Sequence, residues 1–239
     1  MNKIKIENVT KVYATSEGRK TVLNDVSLEI EEGTVTVIGG ENGSGKSVLM
    51  NIIAGLEKAD RGSVTSFARA GLVFQEADTQ ILGETPREDI AFGPKNQGRN
   101  KKDVLQAVNT ALEQVGLTAK ADYPARFLSG GEKRRLAVAC MLAMDFPVII
   151  FDEPYANLDY GGVKQVNALI EKLHEDKKTV IILSHELEKC LGLADKFVVL
   201  FRGDKVFDGL PADALKTDLE QWNIRNPLNA YSSLSDLVW

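Results

Sequence analysis

Cysteine, histidine and tryptophan are scarce in this chain of 239 residues, with two of each. Two cysteines, Cys140 and Cys190, are too few for a disulfide framework or a cysteine-rich zinc site. Their apolar, helical surroundings point to ordinary packing. Long apolar runs are missing as well. None approaches the roughly 18 residues that a membrane-crossing helix needs, and the charged, alternating start Lys3-Ile4-Lys5-Ile6-Glu7 holds no signal-peptide core. A soluble, cytoplasmic protein is expected, peripheral on the inner face of the cell membrane only through a partner. Basic charge is not in excess: 29 Lys and Arg stand against 34 Asp and Glu, a net charge of −5, so no nucleic-acid partner is expected.

What is present is the composition of a globular protein, 44% apolar and 26% charged. Residues 4–10 and 22–30 alternate like half-buried strands joined by a polar turn at Gly18. Thr34-Val35-Thr36-Val37-Ile38 is a short β-branched strand, and residues 48–54 read as a helix closed by Gly55. Two short strands follow, Gly62-Ser63-Val64 and Gly71 to Gln75. Residues 76–100 read as loop-rich; Lys101 to Val115 reads as a helix with Leu105, Val108, Leu112 and Val115 on one face, and another helix runs from near Gly131 to Met144. The runs Val148-Ile149-Ile150-Phe151 and Val180-Ile181-Ile182-Leu183 are apolar throughout, the mark of strands buried on both sheet faces. A helix over 161–175 separates them, and residues 197–207 form a closing hairpin. The pattern is α/β in a single domain: a nucleotide-binding core of 1–75 and 146–209, a helical insertion over 76–145, and a short tail, 210–239, ending in Leu237-Val238-Trp239.

Gly40-Glu41-Asn42-Gly43-Ser44-Gly45-Lys46-Ser47 fits the phosphate-loop pattern G-x-x-x-x-G-K-[ST], with the strand before it and the helix after it that the pattern requires. Glycines let the backbone curl so that its N–H groups converge, and the helix N-terminus adds partial positive charge. Lys46 can reach the β- and γ-phosphates of a nucleoside triphosphate, and the Ser47 hydroxyl can ligate Mg²⁺. Asp152 and Glu153 follow a buried strand directly; the first suits a Mg²⁺ partner and the second can polarise an attacking water. Leu128-Ser129-Gly130-Gly131-Glu132 opens a helix and offers a second anion site, or a simple serine cap. His185 follows the strand 180–183, at the edge where open α/β sheets bind ligands. Gln75 closes a strand, as a Mg²⁺ or water ligand or as a turn residue. Tyr13 is a strand-end aromatic or a platform for a stacked base. His174 ends a solvated helix, with no function expected.

In this order and spacing, Tyr13, the loop 40–47, Gln75, the stretch 128–131, the strand and acids 148–153, Asn157-Leu158-Asp159 and His185 resemble the nucleotide-binding subunit of an ATP-binding-cassette transporter. The resemblance covers residues 3 to about 210. It implies a P-loop, RecA-like core with an antiparallel β subdomain and an inserted α-helical subdomain, and an ATPase using ATP and Mg²⁺. By resemblance, Tyr13 stacks on adenine, Lys46 and the loop amides (Gly40 to Ser47, then Val48) hold the phosphates, and Ser47 and Gln75 ligate Mg²⁺ with support from Asp152. Glu153 is then the general base and His185 contacts the γ-phosphate, while Ser129, Gly130 and Gly131 close on the partner subunit's ATP and Asp159 couples the two sites. A homodimer or a paralogous heterodimer is implied, together with an integral membrane transport subunit. Phe74 to Leu82 and Glu88-Asp89-Ile90-Ala91-Phe92-Gly93-Pro94 narrow the resemblance to the energy-coupling-factor type, which imports vitamins or transition metals such as cobalt and nickel. Val48 stands where the family often has threonine, and Glu41 is a carboxylate within the phosphate loop, expected to point outward. A soluble cassette ATPase of DNA repair or of cofactor assembly is the alternative. Only about fifty residues separate Gln75 from Ser129, with no room for the long coiled coils of the DNA-repair kind.

Overall fold

The computed structural model describes residues 2–16 and 18–229. Two sheets organise them. β1 (Lys3–Thr15) and β2 (Gly18–Glu31) form a long antiparallel hairpin paired from Lys3↔Glu31 to Thr15↔Gly18, with register shifts between Ile6 and Val12. This hairpin runs further than the alternation over 4–10 and 22–30 suggests. After β3 (Val35–Gly39) and α1 (Lys46–Ile53), β4 (Arg61–Thr65) returns to pair with β1, giving a three-stranded sheet β2-β1-β4. The second sheet uses β5 (Ala70–Val73), β6 (Val148–Asp152), β7 (Thr179–Leu183), β8 (Lys196–Phe201) and β9 (Asp204–Gly209) in the order β5-β6-β7-β3-β8-β9. Its strands are parallel except for the edge strand β9.

Alternation within the apolar runs explains why both sheet faces are covered. Ile149 and Phe151 pack into one cluster and Val148 and Ile150 into the other; Val180 and Ile182 likewise oppose Ile181 and Leu183. One cluster lies between the sheets, where Ile4, Ile6, Val26 and Ile30 meet Leu49 and Met50 of α1. The other joins the opposite face to α3 (Lys101–Gln114), α4 (Gly130–Ala143) and α5 (Tyr160–Glu175). α5 links the parallel neighbours β6 and β7, the crossover that two buried strands require.

The stretch 76–100 is not mainly loop. It contains α2, Pro86–Asn96. Thr85 caps it by accepting from the Glu88 N–H, Pro86 sits at its first position, and Glu88 and Asp89 add acid to its first turn. Gly93 and Pro94 read as breakers, yet Gly93 has a packing reason: a Cβ there would lie 2.3 Å from the Met144 sulfur. In α3 the buried face is Val104, Val108, Ala111 and Leu112, while Leu105 is 55% exposed. Leu105 sits about 100° round the helix from Val104, which places it outside the apolar stripe. β5 stops at Val73 rather than reaching Gln75, because the Gln80 side chain takes the next backbone bonds. Its Oε1 accepts from the Phe74 N–H at 2.8 Å and its Nε2 donates to the Leu72 carbonyl at 2.9 Å. Cys190 lies between two 3₁₀ turns and not in an α-helix, and both cysteines are free thiols.

After β9 come α6 (Pro211–Ala214) and a 3₁₀ turn, Glu220–Trp222, anchored by the buried Leu219 and Ile224 and by Trp222 against Phe207. Leu237-Val238-Trp239 lies outside the described residues.

Asp89 locks the start of α2. Its buried carboxylate accepts from the N–H groups of Leu82 and Gly83 at 2.7 and 2.9 Å and from the Cys140 thiol at 3.3 Å. Asp89→Ala strands two donors, and a loss of about 1.5–3 kcal/mol of folding stability is expected. Urea unfolding measures it, and an unchanged midpoint would refute this role.

Candidate functional site: a phosphate-binding cleft at the sheet edge

The parallel register aligns four strand ends. Ile38 pairs with Leu183, Leu183 with Asp152, and Phe151 with Val73. The residues just beyond these ends therefore share one edge: the loop from Gly40, then Gln75, Asp152 with Glu153, and His185. That edge is where ligands enter an open α/β sheet. A cleft there of about 190 Å³ is lined by Asn42, Gly43, Gly45, Lys46, Ser47, Val48, Gln75, Asp152 and Glu153, with Val22 from β2. Its volume is below the roughly 300–1,000 Å³ of a complete small-molecule site.

The loop's path explains its glycines. Gly40 has φ 150°, and a Cβ there would lie 2.2 Å from the Leu200 carbonyl oxygen. Gly45, with φ 105°, takes the cap position of α1. Ser44 is buried, its hydroxyl without a partner, while its backbone carbonyl accepts from the Gly203 N–H at 3.2 Å. Lys46 is 6% exposed and folds back over the loop, donating to the carbonyls of Gly40 at 2.7 Å and Glu41 at 3.1 Å. Burial holds the Lys46 pKa below its usual value, opposed by the nearby charges of Glu153, Asp152 and Glu41. The Glu41 carboxylate points away from the loop's interior, as expected, and accepts from Asn223 Nδ2 at 2.7 Å. Val48 both lines the cleft and packs against the cluster between the sheets, an apolar contact that a threonine would supply less well.

Glu153 is 7% exposed and sits at φ 45°, in the left-handed region that a non-glycine residue adopts at a cost of about 1–3 kcal/mol. Its N–H donates to the Leu183 carbonyl at 2.9 Å, tying it to the neighbouring strand. Its Oε2 accepts from the His185 N–H at 3.3 Å. Its Oε1 lies 3.0 Å from His185 Nδ1 and 3.8 Å from Lys46 Nζ, and makes no hydrogen bond of good geometry. Burial and then the adjacent Glu153 charge raise the Asp152 carboxyl above its ordinary value, against a hydrogen bond from Ser47 and the charge of Lys46. Two carboxylates, a serine hydroxyl and an amide thus face one cleft, a set of hard oxygen donors suited to Mg²⁺.

The remaining residues lie elsewhere in this chain. Ser129 caps α4 by accepting from the Glu132 N–H, and the Glu132 carboxylate accepts from the Ser129 N–H in return. Ser129 and Gly130 are exposed, and neither they nor Gly131 line the cleft. Asp159 caps α5, accepting from the Gly162 N–H at 2.7 Å. A Cβ on Gly130 would come within 3.7 Å of Leu158, so the turns carrying residues 129–131 and Asp159 are neighbours. Tyr13 also stands outside the cleft, its hydroxyl donating to the Glu57 carboxylate and its ring 5.3 Å from Lys11 Nζ. Burial, and then the Glu57 carboxylate, raise its pKa to about 12, so the phenol stays protonated. His174 meets Asp195 at 3.2 Å on the far side of α5 from its N-terminus. Sequence reading overlooked Val22 and Gln80; a strand valine and a loop amide carry no local signal.

The model of the ABC transporter family matches residues 23–156, more than half of the chain. This chain belongs to the ABC transporter family. It is 38% identical to an energy-coupling factor transporter ATP-binding protein of Carboxydothermus hydrogenoformans, over 94% of this chain and 87% of that one. A putative ABC transporter ATP-binding protein of Pyrococcus furiosus is 37% identical, over 92% and 89%. Among solved structures, CbiO1 of Clostridium perfringens, described as part of the ABC transporter complex CbiONQ, superposes with TM-score 0.82 at 28% identity, covering 94% and 95%. A dimeric ATP-binding cassette in a post-hydrolysis state with ADP and Pi superposes with TM-score 0.77 at 27% identity, covering 87% and 98%. The protein is accordingly a P-loop ATPase of the ABC family, grouping with the energy-coupling-factor ATP-binding proteins. Among the described residues no helix is long and apolar enough to cross a membrane.

Proposed function

We propose that this chain is one of two ATPase subunits that drive an energy-coupling-factor importer through an integral membrane subunit. One observation carries the reading: the sheet edge gathers the phosphate loop, Gln75, Asp152 and Glu153 around the cleft, with His185 against Glu153, while the other anion-binding turn, residues 129–131, lies outside it with Ser129 and Gly130 exposed. A second copy or a paralogue that presents its own turn to this cleft completes the site.

Within each half-site, Lys46 and the loop amides hold the phosphates, and Tyr13 offers its ring to the adenine. Ser47 and Gln75, with Asp152 behind them, are the residues that would hold Mg²⁺, which when bound neutralises charge on the phosphate oxygens. Glu153 accepts the proton of the attacking water at Oε1, the oxygen left without a hydrogen bond, and His185 steadies that carboxylate and reaches the γ-phosphate. Ser129, Gly130 and Gly131 cap the γ-phosphate of the partner's ATP, and Asp159 lies where the two half-sites meet. Catalysis rests on positioning and charge more than on covalent steps.

The segment 76–145 is the part we assign to the membrane partner. Between the turn Ala77–Gln80, the start of α2 and the turn Ala125–Phe127 lies a groove lined by Asp78, Ile81, Glu84, Thr85, Pro124 and Arg126. Leu82 and Phe127 are 69% and 61% exposed in these same segments. Expressed together with its membrane subunit, the protein should co-purify in detergent, and Leu82→Asp should release it while leaving ATP hydrolysis by the isolated protein unchanged. Retention of the Leu82→Asp protein would refute the docking site, and failure of the unmodified protein to co-purify would refute the transport reading. With the energy-coupling-factor type goes the cargo class we assign, a vitamin or a transition-metal ion.

A further inference from the structure

Arg134 is 4% exposed, and no carboxylate among the described residues pairs with it. Its Nη2 instead donates to two backbone carbonyls from separate segments, Gln75 at 3.1 Å and Ala156 at 2.7 Å. Burial without a counter-ion lowers the pKa of this guanidinium and costs folding free energy. A buried cation held by carbonyls alone therefore calls for a reason beyond packing. The two carbonyls supply one. Gln75 is the amide on the cleft, and Ala156 lies in the turn between Glu153 and Asp159, where its own N–H donates to the Glu153 carbonyl at 3.3 Å. Arg134 itself is in the first turns of α4, which begins at Gly130.

Neighbouring contacts reinforce the tie. Lys133 pairs with Asp78, just beyond Gln75, and Gln80 holds the Phe74 N–H on the other side. The Gln75 backbone is thus gripped before and after, while its side chain is left exposed to the cleft.

We propose that Arg134 is a positioning residue for ATP hydrolysis: its buried guanidinium holds the backbone at Gln75 and at Ala156 in fixed relation to the helix that opens with Ser129-Gly130-Gly131. Both bonds leave one planar nitrogen, Nη2, whose two N–H directions are fixed by the guanidinium plane, whereas a lysine ammonium on its flexible stem fixes neither direction. The inference rests on the reading of Gln75 as a Mg²⁺ ligand, and the test separates the two.

The readout is the gain in ATP affinity that Mg²⁺ confers, measured by calorimetry on the full chain carrying Glu153→Gln, with and without Mg²⁺. Loss of a group that orients a metal ligand typically costs roughly 10–100-fold in metal affinity. Arg134→Met is expected to reduce the Mg²⁺-conferred gain about tenfold, with ATP affinity in EDTA within about twofold of the parent, since Lys46 and the loop are untouched. Arg134→Lys should recover part of the gain. An undiminished gain in folded Arg134→Met protein overturns the proposal. Should Arg134→Met not fold, Arg134→Lys decides: a full gain there overturns the proposal and a reduced one supports it. Gln75→Ala is the comparator. If it keeps the whole gain, the Gln75 reading fails; if it loses the gain while Arg134→Met keeps it, only the Arg134 proposal fails.

Discussion

Glu153→Gln is expected to lower ATP turnover by about 10²–10⁴-fold, the range that loss of a positioned general base produces. ATP affinity should stay close to that of the unmodified protein. Glutamine keeps the size of the side chain and an oxygen to accept from the His185 N–H, so the cleft retains its shape. What disappears is the carboxylate oxygen that lies 3.0 Å from His185 Nδ1 and 3.8 Å from Lys46 Nζ. With binding intact and hydrolysis stopped, the ATP-bound pair should accumulate, and size-exclusion chromatography should show a dimer only when ATP is added. Turnover at the unmodified rate would remove Glu153 from the mechanism. Lost turnover without a dimer would point to a paralogous second subunit in place of a copy of this chain.

Lys46→Ala is expected to weaken ATP binding by roughly 100-fold, or about 3 kcal/mol, in line with truncating a desolvated charged partner. Two effects add. Among the described residues the ammonium is the only cation lining the cleft, and its burial strengthens its pull on phosphate oxygens. It also bridges the carbonyls of Gly40 and Glu41, so its removal loosens the loop whose N–H groups must converge. Lys46→Arg should not restore binding, because the planar fork does not fit the space folded over the loop. Equal ATP affinity in Lys46→Ala and unmodified protein, measured by calorimetry, would refute the assignment.

Much of the protein was legible because its signals are local. Strand, glycine-rich turn and helix N-terminus around residues 35–53 follow one another in the chain, so residue type alone reports their geometry. The apolar runs of β6 and β7 state that both of their faces are covered, which a sheet between two clusters requires. Misreadings arose where a distant side chain decided the local outcome. Gly93 and Pro94 suggested a loop, but the room Gly93 leaves for Met144 and the cap at Thr85 hold α2 together. Leu105 looked like core and is exposed, because the faces of α2 and α4 select the stripe through Val104 and Val108.

By itself, then, the sequence determined the phosphate loop, the acid pair after a buried strand, the second helix-opening turn and the family to which these belong. Each depends on residue type at a short spacing, where backbone geometry and side-chain chemistry follow directly. Only the tertiary structure decided that Gln75, Asp152 and Glu153 share one cleft with Lys46 and that His185 stands against Glu153 at its edge, since that depends on the register of four strands drawn from separate parts of the chain. It also decided that Glu41 turns outward to Asn223 and that Arg134 grips Gln75 and Ala156, contacts spanning 182, 59 and 22 residues of chain. No local pattern encodes such pairs, because chain closure and packing, not neighbouring residues, bring them together.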